Sequence, residues 1–375
     1  MINKEIKTAN VVGAGILGLA FARALAERNY QVTVFERSIQ ASGSSIRNFG
    51  MVWPIGQKSS TLLDRALKSR LIWIDICEKA NIWFNRSGSL QLLANEIEWQ
   101  LANEFYEHER SARTGLKILN VDSISNLIPN LNSNVLGALY SDTEIIVESR
   151  EAMRQLPRYL TDQYNIKFNF NCLIHESYNG KLKDQYGRIH EADLTIIASG
   201  YETQLLYPQF FQQVPYTVSS LNMLRSNEID YRIPAICAGL SFLHYNSYEV
   251  CKSLVEYEKY CALNYPDLLS HGIHLLISQN HTGQLTIGDS HQYGTHHEPF
   301  QADAIDSLIL DYMKSVFNPP NFFLTQRWTG QYLKLTNGKS ELFEEVEPGV
   351  YIANGPGGAG MTLGWGMAEE NVANI

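Results

Sequence analysis

The chain has 375 residues, 45% of them apolar, so it can bury a large core and divide into two domains. A formal net charge of −9 excludes nucleic acid or an anionic membrane as a bulk partner and leaves room only for a local basic pocket. No run approaches the ~20 apolar residues of a membrane span, and five cysteines, odd in number and without a C-x-x-C pair, read as reduced thiols of a cytoplasmic protein.

Residues 9–37 read as strand, glycine turn, helix and strand. The apolar opening is not a secretory signal, because glycines, Arg23, Glu27 and Arg28 interrupt it. Val11 and Val12 end the first strand, and Gly13, Gly15 and Gly18 follow with G-x-G-x-x-G spacing. Gly13 permits the sharp turn, Gly15 lets a pyrophosphate approach bare backbone, and Gly18 lets helix and strand pack closely. The phosphate then meets free N–H groups at the helix start around Ile16. Glu36 closes the second strand 18 residues after Gly18. A carboxylate there accepts from a ribose 2′-hydroxyl and repels a 2′-phosphate, so FAD or NAD is favoured over NADP.

Residues 42–57 are too irregular for a helix or a strand and are dense in side chains that hydrogen-bond or stack. A loop of this kind directly after a cofactor clamp reads as an active-site loop. Amphipathic helices are predicted over 61–80 and 96–113, with a strand over 88–94 between them. Trp73, Trp83 and Trp99 read as packing residues. Residues 135–146 are strand-like, and 151–163 are helical. Strands over 167–175 and 181–189 are joined by Asn179-Gly180, a hairpin dipeptide. Residues 192–200 form a buried strand stopping on Ala198, Ser199 and Gly200, which leaves its carboxyl end open to a ligand.

From Tyr216 to about Thr325 the pattern becomes α+β, with strands over 218–224, 273–278 and 284–290 and helices over 253–264 and 302–316. A metal site at His291, His296 and His297 lacks H-E-x-x-H spacing and a cysteine partner, so no metal is expected there. The chain then returns to a strand over 350–353 and a second glycine turn at Gly355, Gly357, Gly358 and Gly360, with a helix from Met361. That helix start can face a carbonyl or developing negative charge, which suits a flavin better than a nicotinamide.

Glycine clamp, small-residue strand at Ala198, inserted α+β region and terminal glycine helix occur in one order. In that order the sequence resembles the D-amino-acid oxidase, glycine oxidase and sarcosine oxidase superfamily of flavoproteins over nearly its whole length. The resemblance implies an α/β fold: a Rossmann-like FAD-binding domain of the GR2 type (1–85, 140–215 and 326–375) with an inserted α+β substrate domain (86–139 and 216–325). By matching motif positions, Gly13, Gly15, Ile16, Gly18, Glu36 and Arg37 would hold the ADP half of FAD. Ser44, Ser45, Asn48 and Gly50 would run beside the pyrophosphate and flavin. Leu173, Ala198, Ser199 and Gly200 would line the cofactor, and Gly355, Gly357, Gly358, Ala359, Gly360 and Met361 would meet the ring edge.

Two departures narrow the expectation. Where glycine oxidases carry W-A-G-L-R-P, this chain has Trp328-Thr329-Gly330-Gln331-Tyr332-Leu333, so Tyr332 replaces the arginine that clamps a substrate carboxylate. Losing a bidentate guanidinium is not conservative. The C-terminal region also lacks the cysteine that tethers flavin in sarcosine oxidases, so the FAD is expected to be non-covalent. More narrowly, RNFGMVWPIGQ (47–57), IGDSHQYG (287–294) and RWTGQYL (327–333) look like a branch associated with aminophosphonate breakdown.

The resemblance implies oxidative deamination, with a hydride passing from the amine α-carbon to the flavin and the imine hydrolysing. The electron acceptor, O2 or another, is left open. Arg47, His291 and Tyr332 are the candidate catalytic or anion-binding residues, with Phe49, Trp53, Gln57 and Tyr293 as candidate substrate contacts. The plainer readings are an Arg47 paired with the FAD pyrophosphate, a surface His291 and a Tyr332 that only packs. Alternatives in function are a glycine, D-amino acid or sarcosine oxidase, a flavoprotein hydroxylase, and a non-catalytic FAD-binding subunit.

Overall fold

The computed structural model describes residues 6–375 apart from 114, 295, 296, 298, 299 and 301. The chain opens with strand Thr8–Val12, helix Ile16–Ala26 and strand Gln31–Phe35, the order its glycine spacing requires. These strands enter a six-stranded sheet in the order Leu342–Glu347, Val350–Asn354, Leu194–Ile197, Thr8–Val12, Gln31–Phe35, Lys167–Asn169. All neighbours are parallel except the edge pair Leu342–Glu347 and Val350–Asn354. Val11 and Ile196 sit opposite each other with no exposure, which explains their continuous apolar character.

The opening helix packs against the terminal helix Gly360–Val372, with Gly364 close against Ile16 and Leu17. Helix Thr61–Ala80 packs against the terminal helix as well. There the buried Trp73 ring meets Trp365 edge-on at 5.4 Å, and its indole N–H donates to the Met361 carbonyl at 2.8 Å. Aromatic packing and a satisfied donor together fix the first turn of the terminal helix. Trp83 and Trp99 are partly buried against the second core.

That second core lies under a nine-stranded sheet whose axis is the long strand Tyr216–Glu228. One edge of this strand pairs with Gln284–Gly288 and Gln292–Gly294, and the other pairs with Leu324–Leu335 along most of its length. Residues 326–335 therefore belong to this sheet and not to the six-stranded one, a correction to the expected boundary at 326. Their cross-strand partners lie about a hundred residues earlier, so no local pattern announced the pairing.

Helix Glu96–Glu109 stops short of the expected residue 113 because Arg113 folds back. Arg113 donates to Glu109 at 2.9 Å and to the Pro54 carbonyl at 2.8 Å, and it also donates to the Gln57 carbonyl. The Asn179-Gly180 hairpin forms with φ of 50° and 73°, the pair of positive angles a type I′ turn needs. A third strand, Ile189–Glu191, extends it into a meander. All five cysteines are free, and four of them are buried. No described helix is long and apolar enough to cross a membrane.

Candidate functional site

The two glycine turns meet at the carboxyl ends of the parallel strands. Gly13 has φ 103°, and a β-carbon there would overlap the Ala198 carbonyl. A β-carbon on Gly18 would overlap the Gly13 carbonyl, so both positions require glycine. Above them lies an open cleft. Of the expected cofactor residues, Gly13, Gly15, Glu36, Arg37, Ser44, Ser45, Leu173, Ala198, Ser199 and Gly200 line it. Phe35, Ala41, Cys172, Leu205 and Leu206 add an apolar lining that the sequence did not single out.

The chemistry of this lining fits a dinucleotide. The Ile16 N–H, at the helix start, donates to the Ser45 hydroxyl at 2.9 Å, so loop and helix N-terminus form one polar cradle. At the far end the Glu36 carboxylate accepts from the Ala14 N–H at 2.9 Å and the Ser38 N–H at 3.0 Å. Its remaining lone pairs are available to a ribose. Arg37 pairs with Glu202 at 3.0 Å at the cleft wall.

Asn48 and Gly50 act on the loop itself. The Asn48 amide donates to the Ser44 and Ser45 carbonyls and accepts from Gly50 N–H at 2.7 Å, bracing the turn that carries both serines. The second glycine turn runs from Gly355 through Gly357, Gly358 and Ala359 to Gly360 and Met361. Gly360 stands against Ile16, which brings the second helix start beside the first.

Tyr332 lies over this second turn. Its hydroxyl is 3.2 Å from where a Gly358 β-carbon would be, and its ring also faces Gly357. Burial pushes the Tyr332 phenol well above its ordinary range, so it remains a donor at any physiological pH. His291, expected here as well, is 7% exposed and does not stand alone. Its Nδ1 donates to the Gly272 carbonyl at 3.0 Å, and its Nε2 faces Asp289 Oδ2 at 3.8 Å.

His274 faces the other oxygen of that carboxylate, Nε2 to Oδ1 at 3.1 Å, and the half-buried His244 stacks on His274 with ring centres 3.7 Å apart. Burial and the neighbouring imidazoles push His244 well below its ordinary value. Burial lowers His291 too, against the pull of Asp289. Burial alone would raise the Asp289 carboxyl, but His291 and His274 outweigh it and hold it low. No metal is expected from the sequence at His291, His296 and His297; His296 lies outside the described residues, and the histidines beside His291 are His244 and His274.

Phe49 and Trp53 border the same region. The Phe49 ring end lies 3.2 Å from a β-carbon position on Gly288, and Trp53 is tilted against Tyr245 at 6.4 Å. Gln57 is drawn away, its carbonyl held by Arg113. Arg47 and Tyr293 are exposed. Arg47 donates to the Thr329 carbonyl at 3.3 Å and its own carbonyl accepts from Trp328 at 3.2 Å, which ties the loop to the strand carrying Tyr332. Tyr293 accepts from Lys334 at 3.2 Å. Asp289, within the IGDS motif, was the one cluster member a motif could have marked. His244 and His274 carry no sequence signal.

The family model described as "FAD dependent oxidoreductase" matches residues 9–373. The chain belongs to this DAO family of FAD-dependent oxidoreductases. It is 27% identical over 141 residues to a glycerol 3-phosphate dehydrogenase of Caloramator mitchellensis, a match covering 36% of this chain and 29% of that protein. It is 25% identical over 204 residues to a glycine oxidase of Geobacillus kaustophilus, covering 51% of this chain and 53% of the relative. The chain thus matches about half or less of these curated relatives' length. The crystal structure of a Geobacillus kaustophilus glycine oxidase superposes with TM-score 0.79 at 19% identity, covering 98% of this chain and 94% of that one. That likeness shows the fold.

Proposed function

We propose that this DAO-family member oxidises an amine that also carries an anionic group other than a plain α-carboxylate, and that an aminophosphonate such as an N-methylated or 1-hydroxylated 2-aminoethylphosphonate is its substrate. When bound, FAD supplies the acceptor for a hydride leaving the amine's α-carbon. The observation that carries the reading is Tyr332. It stands over the Gly357–Gly358 turn where glycine oxidases have their clamp arginine, with the Asp289 cluster as its neighbour.

A phosphonate dianion offers three acceptor oxygens and needs several donors set around it. A single guanidinium fork suits a carboxylate better. The Tyr332 hydroxyl donates from one side, and Arg47 on the loop tied to Trp328 offers a guanidinium from the open side. Phe49, beside the Gly288 turn, and Trp53, against Tyr245, supply the apolar wall of the substrate site in this reading. In this reading residues 86–139 and 216–335 form the substrate half and the remainder the cofactor half, because strand Leu324–Leu335 pairs with Tyr216–Glu228.

The glycine oxidase similarity supports an amine donor. A second reading, an alcohol bearing a phosphate ester, is supported by the similarity to a glycerol 3-phosphate dehydrogenase. Anaerobic bleaching of the FAD-loaded protein tests both. Aminoethylphosphonates carrying an N-methyl or 1-hydroxy group should bleach it faster than glycine, sarcosine, D-alanine or glycerol 3-phosphate. Efficient bleaching by glycine or D-alanine with no response to any aminophosphonate overturns the reading.

A further inference from the structure

The geometry points to a transition-metal site formed by His244, His274 and His291, with the Asp289 carboxylate beside it, in the roof next to Tyr332. One ring nitrogen of each histidine lies within 4.8 Å of the others. His274 and Asp289 are each under 5% exposed. The three histidines and the aspartate come from three segments: the helix Ser241–His244, the stretch before strand Leu276–Gln279, and, for both Asp289 and His291, the turn after strand Gln284–Gly288.

A hydrogen bond fixes the free nitrogen of His291. A backbone carbonyl only accepts, so His291 Nδ1, 3.0 Å from the Gly272 carbonyl, carries the proton. The Ser241 hydroxyl donates to the His274 carbonyl at 2.9 Å and lies 3.2 Å from His274 Nδ1. His291 therefore presents an Nε2 lone pair toward the Asp289 carboxylate at 3.8 Å, and His274 Nε2 lies 3.1 Å from the other carboxylate oxygen. Asp289 Oδ1 has no hydrogen-bond donor among the described residues although it is buried. The His291 lone pair set toward a buried carboxylate oxygen is satisfied by a cation bound between them.

This is also how metal-binding histidines are usually held, with the far ring nitrogen donating to an oxygen that fixes tautomer and orientation. Three imidazoles, with a carboxylate alongside, suit a divalent ion of the zinc or iron type. Two ligands about 2.1 Å from a tetrahedral zinc are roughly 3.4 Å apart, so binding draws the rings together. His244 is free to move in this way, being half-buried and held by stacking.

A cation here adds the positive charge that the missing arginine would have supplied, and only this role rests on the proposed substrate. The site itself is tested without substrate. Untagged, FAD-loaded protein is stripped with a chelator and dialysed against Zn²⁺, and bound zinc is measured by elemental analysis. The expected result is one zinc per chain, with affinity falling at least about tenfold in both His274→Ala and His244→Ala. His244→Ala leaves no buried partner behind, and retained flavin absorbance and circular dichroism establish that each variant is folded. Wild-type protein that takes up no zinc, or no more than the folded His244→Ala protein, overturns the site. Neither result depends on which amine bleaches the flavin.

Discussion

The Tyr332 hydroxyl lies 3.2 Å from the point where a β-carbon on Gly358 would stand, so the tyrosine that replaces an arginine also roofs the terminal glycine turn. Its burial keeps the phenol protonated, as a hydrogen-bond donor. Tyr332→Phe removes that donor and keeps the ring. A hydrogen bond to a charged partner is worth roughly 1.5–3 kcal/mol, so kcat/KM for an anionic amine should fall about 10- to 150-fold with FAD content unchanged. Steady-state kinetics with an unaltered kcat/KM would remove Tyr332 from the substrate site.

Glu36 braces the first glycine turn through Ala14 and Ser38 and faces the cleft with its free lone pairs. Glu36→Ala leaves a buried Ala14 N–H without a partner. FAD should bind about 10- to 150-fold more weakly, and the cofactor-free protein should lose roughly 1–3 kcal/mol of stability. Denaturant titrations with and without FAD separate the two effects. An intact apo-stability would show that the brace contributes nothing.

How much of this was legible depended on distance along the chain. The glycine clamp, helix Thr61–Ala80 and the Asn179-Gly180 hairpin were legible because a turn angle or a helical face is set by residues a few positions apart. Strand Leu324–Leu335 was misplaced because its partner Tyr216–Glu228 is remote, and only the folded register sets Tyr332 opposite Ser219. His244 and His274 were silent for the same reason. His274 even precedes Leu275, a buried residue held at φ 56°, a conformation that an apolar sequence pattern does not predict.

FAD is expected to leave intact when the protein is denatured. The terminal region that would meet the flavin edge carries no cysteine, and all five cysteines of the chain lie between residues 77 and 261. Heat or acid should therefore put all of the yellow colour in the supernatant, where mass spectrometry should find unmodified FAD. Colour that stays with the precipitated chain would mean a covalent bond.

The glycines of the clamp should differ sharply in tolerance. A β-carbon on Gly18 would overlap the Gly13 carbonyl, whereas one on Gly43, in the neighbouring loop, meets nothing within 4 Å. Gly43 also has an ordinary φ of −84°. Gly18→Ala should be recovered with little or no bound FAD, and Gly43→Ala should match wild type in yield and colour. Equal FAD occupancy in the two purified variants would contradict the packing.

Alkaline pH should unfold this protein through its buried tyrosines. Burial raises Tyr245, Tyr248, Tyr257, Tyr312 and Tyr332 above the ordinary tyrosine range. In the unfolded chain the same phenols lose their protons near pH 10. Below that pH both states hold the protons and stability is unaffected. Above it the unfolded state binds fewer protons than the fold, so stability falls as pH rises toward the folded values. Each tyrosine still protonated in the fold contributes a slope of up to about 1.4 kcal/mol per pH unit. Urea midpoints should therefore drop steeply between roughly pH 9 and 11. The near-ultraviolet tyrosinate signal of these residues should appear only with unfolding. A midpoint that stays level across this range, or tyrosinate absorbance from all twenty tyrosines of the still-folded chain, would show that these phenols are not shielded as the structure has them.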